Sequence, residues 1–456
     1  MCGRITTPWR RANAAHLPHA TQHDAPSGGV HRQNVPVASE PAVRGATFAE
    51  VFGVGEFRVF WLAQALSVAG DRLALVALAV LVFDRTHSPL LTATAYAAGF
   101  LPWVVGGVLF GTVADRWPRR EVMVGCDLAR AVLLAVMAVP GIPLLALVAL
   151  LAAVTSLAPP FESARSSLLP DILDGDRYTV GLAVVQTTFR SAMVLGYAAG
   201  GVAVAAIGPR PALALDAATF AASAALVRWG IRPRPAAARR GARRPSADIA
   251  AAARLVATDR PLRTLMLLGW LVAFYAVPEA VAAPYASELG GGAAAVGLIL
   301  AASAFGGVLA APVFMRLVTP PQRMRIMGPL AVATCALLTL CVARPPLLAV
   351  LAILAASGAC GVYQIAANAA FMTRVPSARR GQAFGLAMSG IFAGQGVAFI
   401  LAGAAAQVIS PPVVIAIAGG SGAAVATALA VTWRGTPPPP AGQWPVPARR
   451  GSPSAP

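Results

Sequence analysis

Apolar runs of about 18–25 residues recur from one end of this chain to the other, each long enough to cross a hydrocarbon layer of ~30 Å as a helix. Twelve can be marked: 59–83, 90–113, 122–139, 143–168, 178–207, 210–230, 264–286, 293–317, 326–343, 346–372, 381–408 and 411–433. The fourth, fifth, tenth and eleventh exceed a simple span and are expected to tilt or run on into loop. The pattern predicts an all-α polytopic membrane protein of about twelve transmembrane helices.

The polar stretches divide the chain. Residues 1–56 are rich in Pro, Gly, His, Ala and Arg without periodicity and read as a disordered arm. Residues 231–263 hold six arginines between Arg232 and Arg244, then a helix-like stretch from Asp248 to Thr258 suited to the membrane surface. Residues 434–456 are Pro-rich and read as a disordered tail. Two sets of six spans result, 57–230 and 264–433, on either side of the basic linker. Gly106-Gly107-Val108-Leu109 in the second span returns as Gly306-Gly307-Val308-Leu309 in the eighth, and Arg116 returns as Arg316. Such parallel repeats place a substrate site at the midplane between two halves.

Composition agrees with the spans and removes other classes. The chain is 57% apolar and 12% charged, against about 25% charged in soluble domains. Its net charge of +18 invites a nucleic-acid reading that the distribution refutes. There is no lysine. Three of the 36 basic residues, Arg85, Arg210 and Arg344, fall in odd-to-even loops, and Arg72, Arg130 and Arg190 lie deep in spans. The others lie in or beside the arm, the even-to-odd loops, the linker and the tail. Short arginine-rich loops stay inside, so both termini are expected in the cytoplasm and the protein in the plasma (inner) membrane, with arginines meeting anionic lipid. Residues 1–56 lack the apolar core of a signal peptide, which leaves the first span as the insertion signal. The five cysteines show no metal-ligand spacing and are read as small buried hydrophobes. No phosphate-binding Gly-x-x-x-x-Gly-Lys occurs, which excludes direct drive by ATP in this chain. No catalytic constellation, metal site or cofactor site stands out, and the chain is expected to act as a monomer and not as an enzyme.

The most specific motif follows the second span: Gly111-x-x-x-Asp115-Arg116-x-x-Arg119-Arg120. On this motif the chain resembles the major facilitator superfamily of transporters, over roughly 57–433. The resemblance implies two six-helix bundles and alternating access. It also implies that Asp115 faces the start of the eleventh helix near Gly381, where a carboxylate is favoured by the helix dipole. That contact would latch the cytoplasmic side; the plainer reading of the motif is a topology determinant. Gly70-Asp71, Ser88-Pro89, Asp127-x-x-Arg130, Ala164-Arg165 with Leu168-Leu169-Pro170, and Asp216-Ala217 with Phe220 are similar to the drug–proton antiporter branch that includes macrolide and enterobactin exporters. Two departures stand out. The antiporter Gly-Pro-x-x-Gly-Gly motif of the fifth helix reads Gly196-Tyr197-Ala198-Ala199-Gly200-Gly201, with no Pro, and the second-half loop has Met315 in place of an acid.

Charges inside a bilayer cost ~2.5–3.5 kcal/mol on the gentlest scale and therefore face partners or water. Asp71 and Glu279 occupy corresponding places in the first and seventh spans and are the candidates for protonation or for a substrate cation; a packing partner for an arginine is the other reading of Asp71. Glu279 follows Pro278, with Pro284 beyond, so its helix is expected to be loosened. Asp127 and Arg130 share a helix face and are expected to neutralise each other. Arg190 has no acid within a turn, and Asp71 is its expected partner from another helix. Asp216 is expected near the outer end of its span in a packing role. Tyr363, Gln364, Asn368 and Gln395 are candidates to line a cavity, with Trp103, Trp270, Phe274 and Tyr275 as apolar walls. The function expected is proton-driven export of a small amphipathic drug or metabolite. The rivals are a proton-coupled or facilitative importer and a membrane sensor or partner protein that does not transport.

Overall fold

The computed structural model describes residues 46–100, 102–104, 117–234, 245–376 and 379–434. Residues 1–45 of the expected arm 1–56, most of the tail and part of the linker lie outside the described residues; the end of that arm is not disordered, because Phe48–Gly53 forms a helix capped by Thr47 with Val51 buried, and Gly55 and Glu56 begin the first long helix. Within them, the helices fall where the apolar runs predict. They are α1 Gly55–Thr86, α2 Pro89–Ala98, α3 Arg119–Ala138, α4 Leu144–Ile172, α5 Asp176–Ile207, α6 Pro209–Gly230, α7 Arg260–Ala280, α8 Ala293–Leu317, α9 Pro320–Ala343, α10 Leu347–Arg374, α11 Arg380–Ala405 and α12 Pro411–Trp433. Ten of these are long and apolar enough to cross a membrane. The other two have evident reasons. Past Ala98, the expected second span has only 102–104 described as helix, and α3 carries Arg119, Arg120, Glu121, Asp127 and Arg130 in 20 residues. A separate helix, Pro245–Thr258, occupies the linker.

α3 displays the inverted amphipathicity of a lipid-facing helix. Leu128, Val132 and Val136, one turn apart, are 49%, 63% and 43% exposed, whereas Asp127 and Arg130 are 0% and 2% exposed. Apolar outside and polar inside is the stable arrangement where the solvent is hydrocarbon. Local chemistry sets the helix ends. Ser88 accepts from the Leu91 amide at 3.3 Å with Pro89 in the first turn, and Asp259 accepts from the Leu262 amide at 2.9 Å.

α7 is broken at Leu271 and Ala276 and continues past Val281 as a short piece, Ala282–Glu288. Pro278 and Pro284 each lack an amide donor, and the backbone tightens to compensate. The Glu279 amide accordingly bonds the Ala276 carbonyl, three residues back, at 2.9 Å. α10 likewise breaks at Gly361–Val362.

Two bundles, α1–α6 and α7–α12, meet along two seams, both at the end remote from the arginine-rich loops. At the α5–α8 seam the backbones nearly touch: a β-carbon on Gly201 would lie 2.8 Å from the Gly297 Cα and 2.9 Å from the Ala293 oxygen. Close approach of small residues replaces the hydrophobic effect as the source of helix attraction in lipid. At the α2–α11 seam, a β-carbon on Gly403 would lie 3.0 Å from Leu90 Cα, and Gln407 Nε2 donates to Ser88 Oγ at 3.1 Å. Deeper along that seam, Tyr96 and Phe100 lie on Phe399, with ring centroids 5.5 and 5.3 Å apart, and Trp103 stacks on Phe392 at 5.3 Å.

Because Gly297 has no room for a side chain, Gly297→Val should part the seams. Labelling of a Phe399→Cys thiol by an impermeant maleimide, slow in the parent because Phe399 is 0% exposed, is expected to become severalfold faster in the Gly297→Val background.

Candidate functional site

Tyr197 is the residue that draws the midplane polar groups together. It lies on α5 inside the glycine-rich run 196–201, where Gly196 and Gly200 let α1 approach: a β-carbon on Gly196 would be 3.0 Å from the Ala69 oxygen, and one on Gly200 3.1 Å from Leu73 Cα. That proximity carries Arg72 of α1 onto Tyr197. The guanidinium donates to the Tyr197 hydroxyl at 3.1 Å and lies 5.5 Å from the ring centroid. Tyr96 of α2 shares a hydrogen bond with the same hydroxyl at 3.3 Å. From the other bundle, the Glu279 carboxyl interacts electrostatically with Arg72 and Tyr96, without an ion-pair contact inside 4 Å. The loosened turn of α7 presents Glu279 to this group. The Asp71 carboxyl also lies within electrostatic range of Arg72.

Beside this group a cavity of about 450 Å³ lies between α5, α7, α8 and α10. Arg190 and Met193 of α5 form one side, and Tyr275, Ser303, Gln364 and Asn368 supply polar groups on the other. Gln364 Nε2 donates to the Gly269 carbonyl and to the Tyr275 hydroxyl, each at 3.1 Å. Two of the four proposed cavity residues, Gln364 and Asn368, are therefore on its wall. Tyr363 is not: it is 0% exposed and its hydroxyl donates to the Leu268 carbonyl at 2.9 Å, which fixes α10 to α7. Gln395 is buried on α11 and does not line the cavity. Of the expected walls, Tyr275 takes part. Trp270 instead donates to the Ala387 carbonyl at 3.0 Å, and Trp103 belongs to the α2–α11 seam.

Arg190 and Asp71 do not pair. Among the described residues Arg190 has no ion-pair or hydrogen-bond partner, and it opens into the cavity. Arg72 was the residue missed. An arginine next to Asp71 in the first span and a tyrosine inside the glycine run of the fifth were the available signals, but they stand 125 residues apart and nothing in the sequence says that they meet.

A second polar cluster fills the centre of the first bundle. Asp127 and Arg130 face each other at 3.9 Å, as their spacing predicts, and Ser223 of α6 donates to the other Asp127 oxygen at 2.6 Å. The Arg130 guanidinium lies between Phe161 and Phe220, at 5.3 and 5.2 Å from their centroids. Asp216 is 0% exposed and packs on Gly70, accepting from Thr219 Oγ1 at 3.1 Å. It therefore sits at the depth of Asp71 and not near the end of its span.

Of the arginine-rich motif, Gly111, Asp115 and Arg116 lie outside the described residues. Arg119 ion-pairs with Asp171 and donates to the Ser167 carbonyl at 2.8 Å, and Arg120 bonds Glu121 and the Ile231 carbonyl at 3.2 Å. Glu56 and Arg234 add a bond of 3.0 Å beside them. These contacts tie the start of α3 to the ends of α4 and α6 within one bundle. The positive ends of the motif thereby acquire acids that offset the unfavourable placement of arginine at a helix start.

This fold is that of a membrane transporter. Residues 60–282 and 279–454 each match the profile of the Major Facilitator Superfamily, and the chain belongs to that family. Macrolide efflux protein A of Streptococcus pyogenes is 30% identical over 82 residues, which is 18% of this chain and 20% of that protein. The uncharacterized MFS-type transporter YkuC of Bacillus subtilis (strain 168) is 32% identical over 177 residues, 38% of this chain and 40% of that one. The matched segments thus span less than half of these relatives. Among solved structures, the nucleoside transporter NupG superposes with a TM-score of 0.62 at 16% identity, covering 82% of this chain and 99% of that one. A POT family transporter in complex with a thioalcohol conjugated peptide gives 0.67 at 11%, covering 82% and 95%. These two share the fold.

Breaking a buried ion pair leaves an uncompensated charge and costs ~3–5 kcal/mol, whereas an apolar pair of similar size is often neutral. Asp127→Ala is therefore expected to lower the thermal unfolding midpoint sharply, and Asp127→Leu combined with Arg130→Met to recover most of the loss, as read by a detergent-phase melting assay.

Proposed function

We propose that this protein is a proton-coupled exporter of a small amphipathic compound, a drug or a secondary metabolite, working by alternating access at the plasma membrane with its arginine-rich end in the cytoplasm. The observation that carries the reading is the position of Glu279. It is a carboxyl of the second bundle in the field of Arg72 of the first, and each bundle presents only one partner of the interaction.

The chemistry follows from charge. At an effective dielectric near 20, two unit charges brought to contact attract by about 4 kcal/mol. Glu279 and Arg72 stand farther apart than contact, so the attraction here is weaker than that, of the order of the ~1–3 kcal/mol usual between linked sites, and a ligand that binds one state better supplies the rest. Protonating Glu279 removes its attraction and leaves Arg72 to Tyr197 and Asp71. In the described arrangement the seams at Gly201–Gly297 and Gly403–Leu90 hold the outer side shut. With that side shut, this reading has the cavity fill from the cytoplasm, as an exporter collecting its substrate does. Asp71, within range of Arg72, serves as the second acid of the relay.

The arginine-rich loop forms the cytoplasmic latch in this reading, with Asp115 engaging the start of α11 when the inner side closes. Arg119 and Arg120 hold the loop's far end against α4 and α6. Residues 231–263 join the two bundles, and both ends of the chain lie on the cytoplasmic side. The export direction is supported by the likeness to macrolide efflux protein A and by the motifs similar to the antiporter branch.

Extrusion assays in everted membrane vesicles test this. A panel of dyes and drugs is expected to yield a compound whose uphill movement an uncoupler abolishes. Glu279→Gln and Arg72→Gln should each lower uphill movement at least tenfold, and Glu279→Gln should retain downhill exchange. Asp71→Asn should lower it less. Unchanged uphill export by Glu279→Gln rejects the coupling role, and gradient-driven movement in the opposite sense assigns import.

A further inference from the structure

Among the described residues, the cavity wall carries one formal charge, and it is positive. Arg190 is exposed on its α5 wall, and no Asp or Glu is among the described residues that line it. The acids nearby are engaged elsewhere: Glu279 and Asp71 act on Arg72, and Asp127 on Arg130. Arg190 itself has no ion-pair or hydrogen-bond partner among the described residues. A guanidinium held at mid-span without a protein acid needs water or a ligand anion to offset its position.

The rest of the wall fits the remainder of such a ligand. Asn368 and Ser303 have no side-chain hydrogen-bond partner among the described residues, and the Tyr275 hydroxyl, which accepts from Gln364, is free to donate. Ala304, Gly307, Val308 and Ile365 offer small apolar surface next to them. One fixed fork of N–H donors, a few neutral polar groups and an apolar remainder match a molecule with a carboxylate at one end and an apolar body at the other. Guanidinium and carboxylate pair in a planar two-bond geometry that an ammonium ligand cannot use, and a cationic ligand would meet Arg190 with like charge and no acid to receive it.

We propose that Arg190 is the anchor for the substrate's anionic group, so that the compound moved is an amphipathic carboxylate and not a cationic amphiphile. This rests on the cavity being the substrate site of the transporter described above, and not on the direction or the coupling of transport.

The test is equilibrium binding to the purified full chain in detergent, followed by fluorescence anisotropy. The probes are fluorescein, which bears a carboxylate, and rhodamine 123, a cationic ester on the same xanthene core. The parent is expected to bind fluorescein at least tenfold more tightly than rhodamine 123. Arg190→Gln should remove that preference without weakening rhodamine 123, and Arg190→Lys, which keeps the charge but not the fork, should keep part of it. Equal or tighter binding of rhodamine 123, no fluorescein binding by the parent, or an equal effect of Arg190→Gln on both dyes would overturn the proposal. Binding needs no gradient, so the two readings fail separately. Dye preference without proton-driven export leaves the anion site standing and removes the exporter. Proton-driven export of rhodamine 123, insensitive to Arg190→Gln, does the reverse.

Discussion

The contact on which the midplane depends is the one between Arg72 and Tyr197. A charge inside a bilayer has to be met by the protein itself, and here it is met by a neutral hydroxyl and a ring face and not by an adjacent acid. That choice leaves the guanidinium only partly satisfied. Its remaining attraction is directed at carboxyls that lie near it without closing an ion pair, Asp71 on its own helix and Glu279 from the other bundle. A fully closed salt bridge at this point would bind the bundles in one arrangement. A tyrosine-held arginine keeps the charge in place and lets the acid come and go.

Small residues make that contact possible and also define where the bundles join. The glycines of α5 serve both purposes: Gly196 and Gly200 bring α1 close enough for Arg72 to reach Tyr197, and Gly201 meets Gly297 of α8 backbone to backbone. In lipid, helices gain little from burying apolar surface and associate through close packing and interhelical hydrogen bonds. A seam made of backbone contact is steep in distance. It is either formed or absent, which suits a structure that changes between two packed states more than one that deforms gradually.

The two polar clusters divide the work of the first bundle. Asp127, Arg130 and Ser223 are enclosed by α3 and α6 and packed between aromatic rings, with no route to the cavity among the contacts they make. Arg72, Tyr96 and Tyr197 face the interface instead. The same residue types thus serve a packed core in one place and a responsive surface in the other, and burial separates them. At the arginine-rich end, Arg119 and Arg120 close a set of bonds within one bundle, so that the loop preceding them is anchored on one side.

Much of the architecture was legible in the sequence, since hydrocarbon tolerates few solutions. Unsatisfied backbone is too costly there, so each apolar run of sufficient length becomes a helix. Positions 264–286 showed in advance that α7 would loosen, as Pro278 and Pro284 have no amide to donate. The i,i+3 spacing of Asp127 and Arg130 likewise fixed their pairing. Which groups meet across helices was not legible, because Ala and Gly blur the faces of every span and helix rotation decides the rest. The sequence assigned Arg190 to Asp71 and gave Tyr363 and Gln395 to the cavity. The tertiary structure instead placed Arg72 against Tyr197, turned Tyr363 inward to the Leu268 carbonyl, and left Arg190 as the charge on the cavity wall. The sequence by itself determined the type and the approximate places of the membrane helices, through the cost of exposing polar groups to lipid. Only the folded structure decided the polar partners, since these depend on glycine contacts that set distance and rotation between helices far apart in the chain.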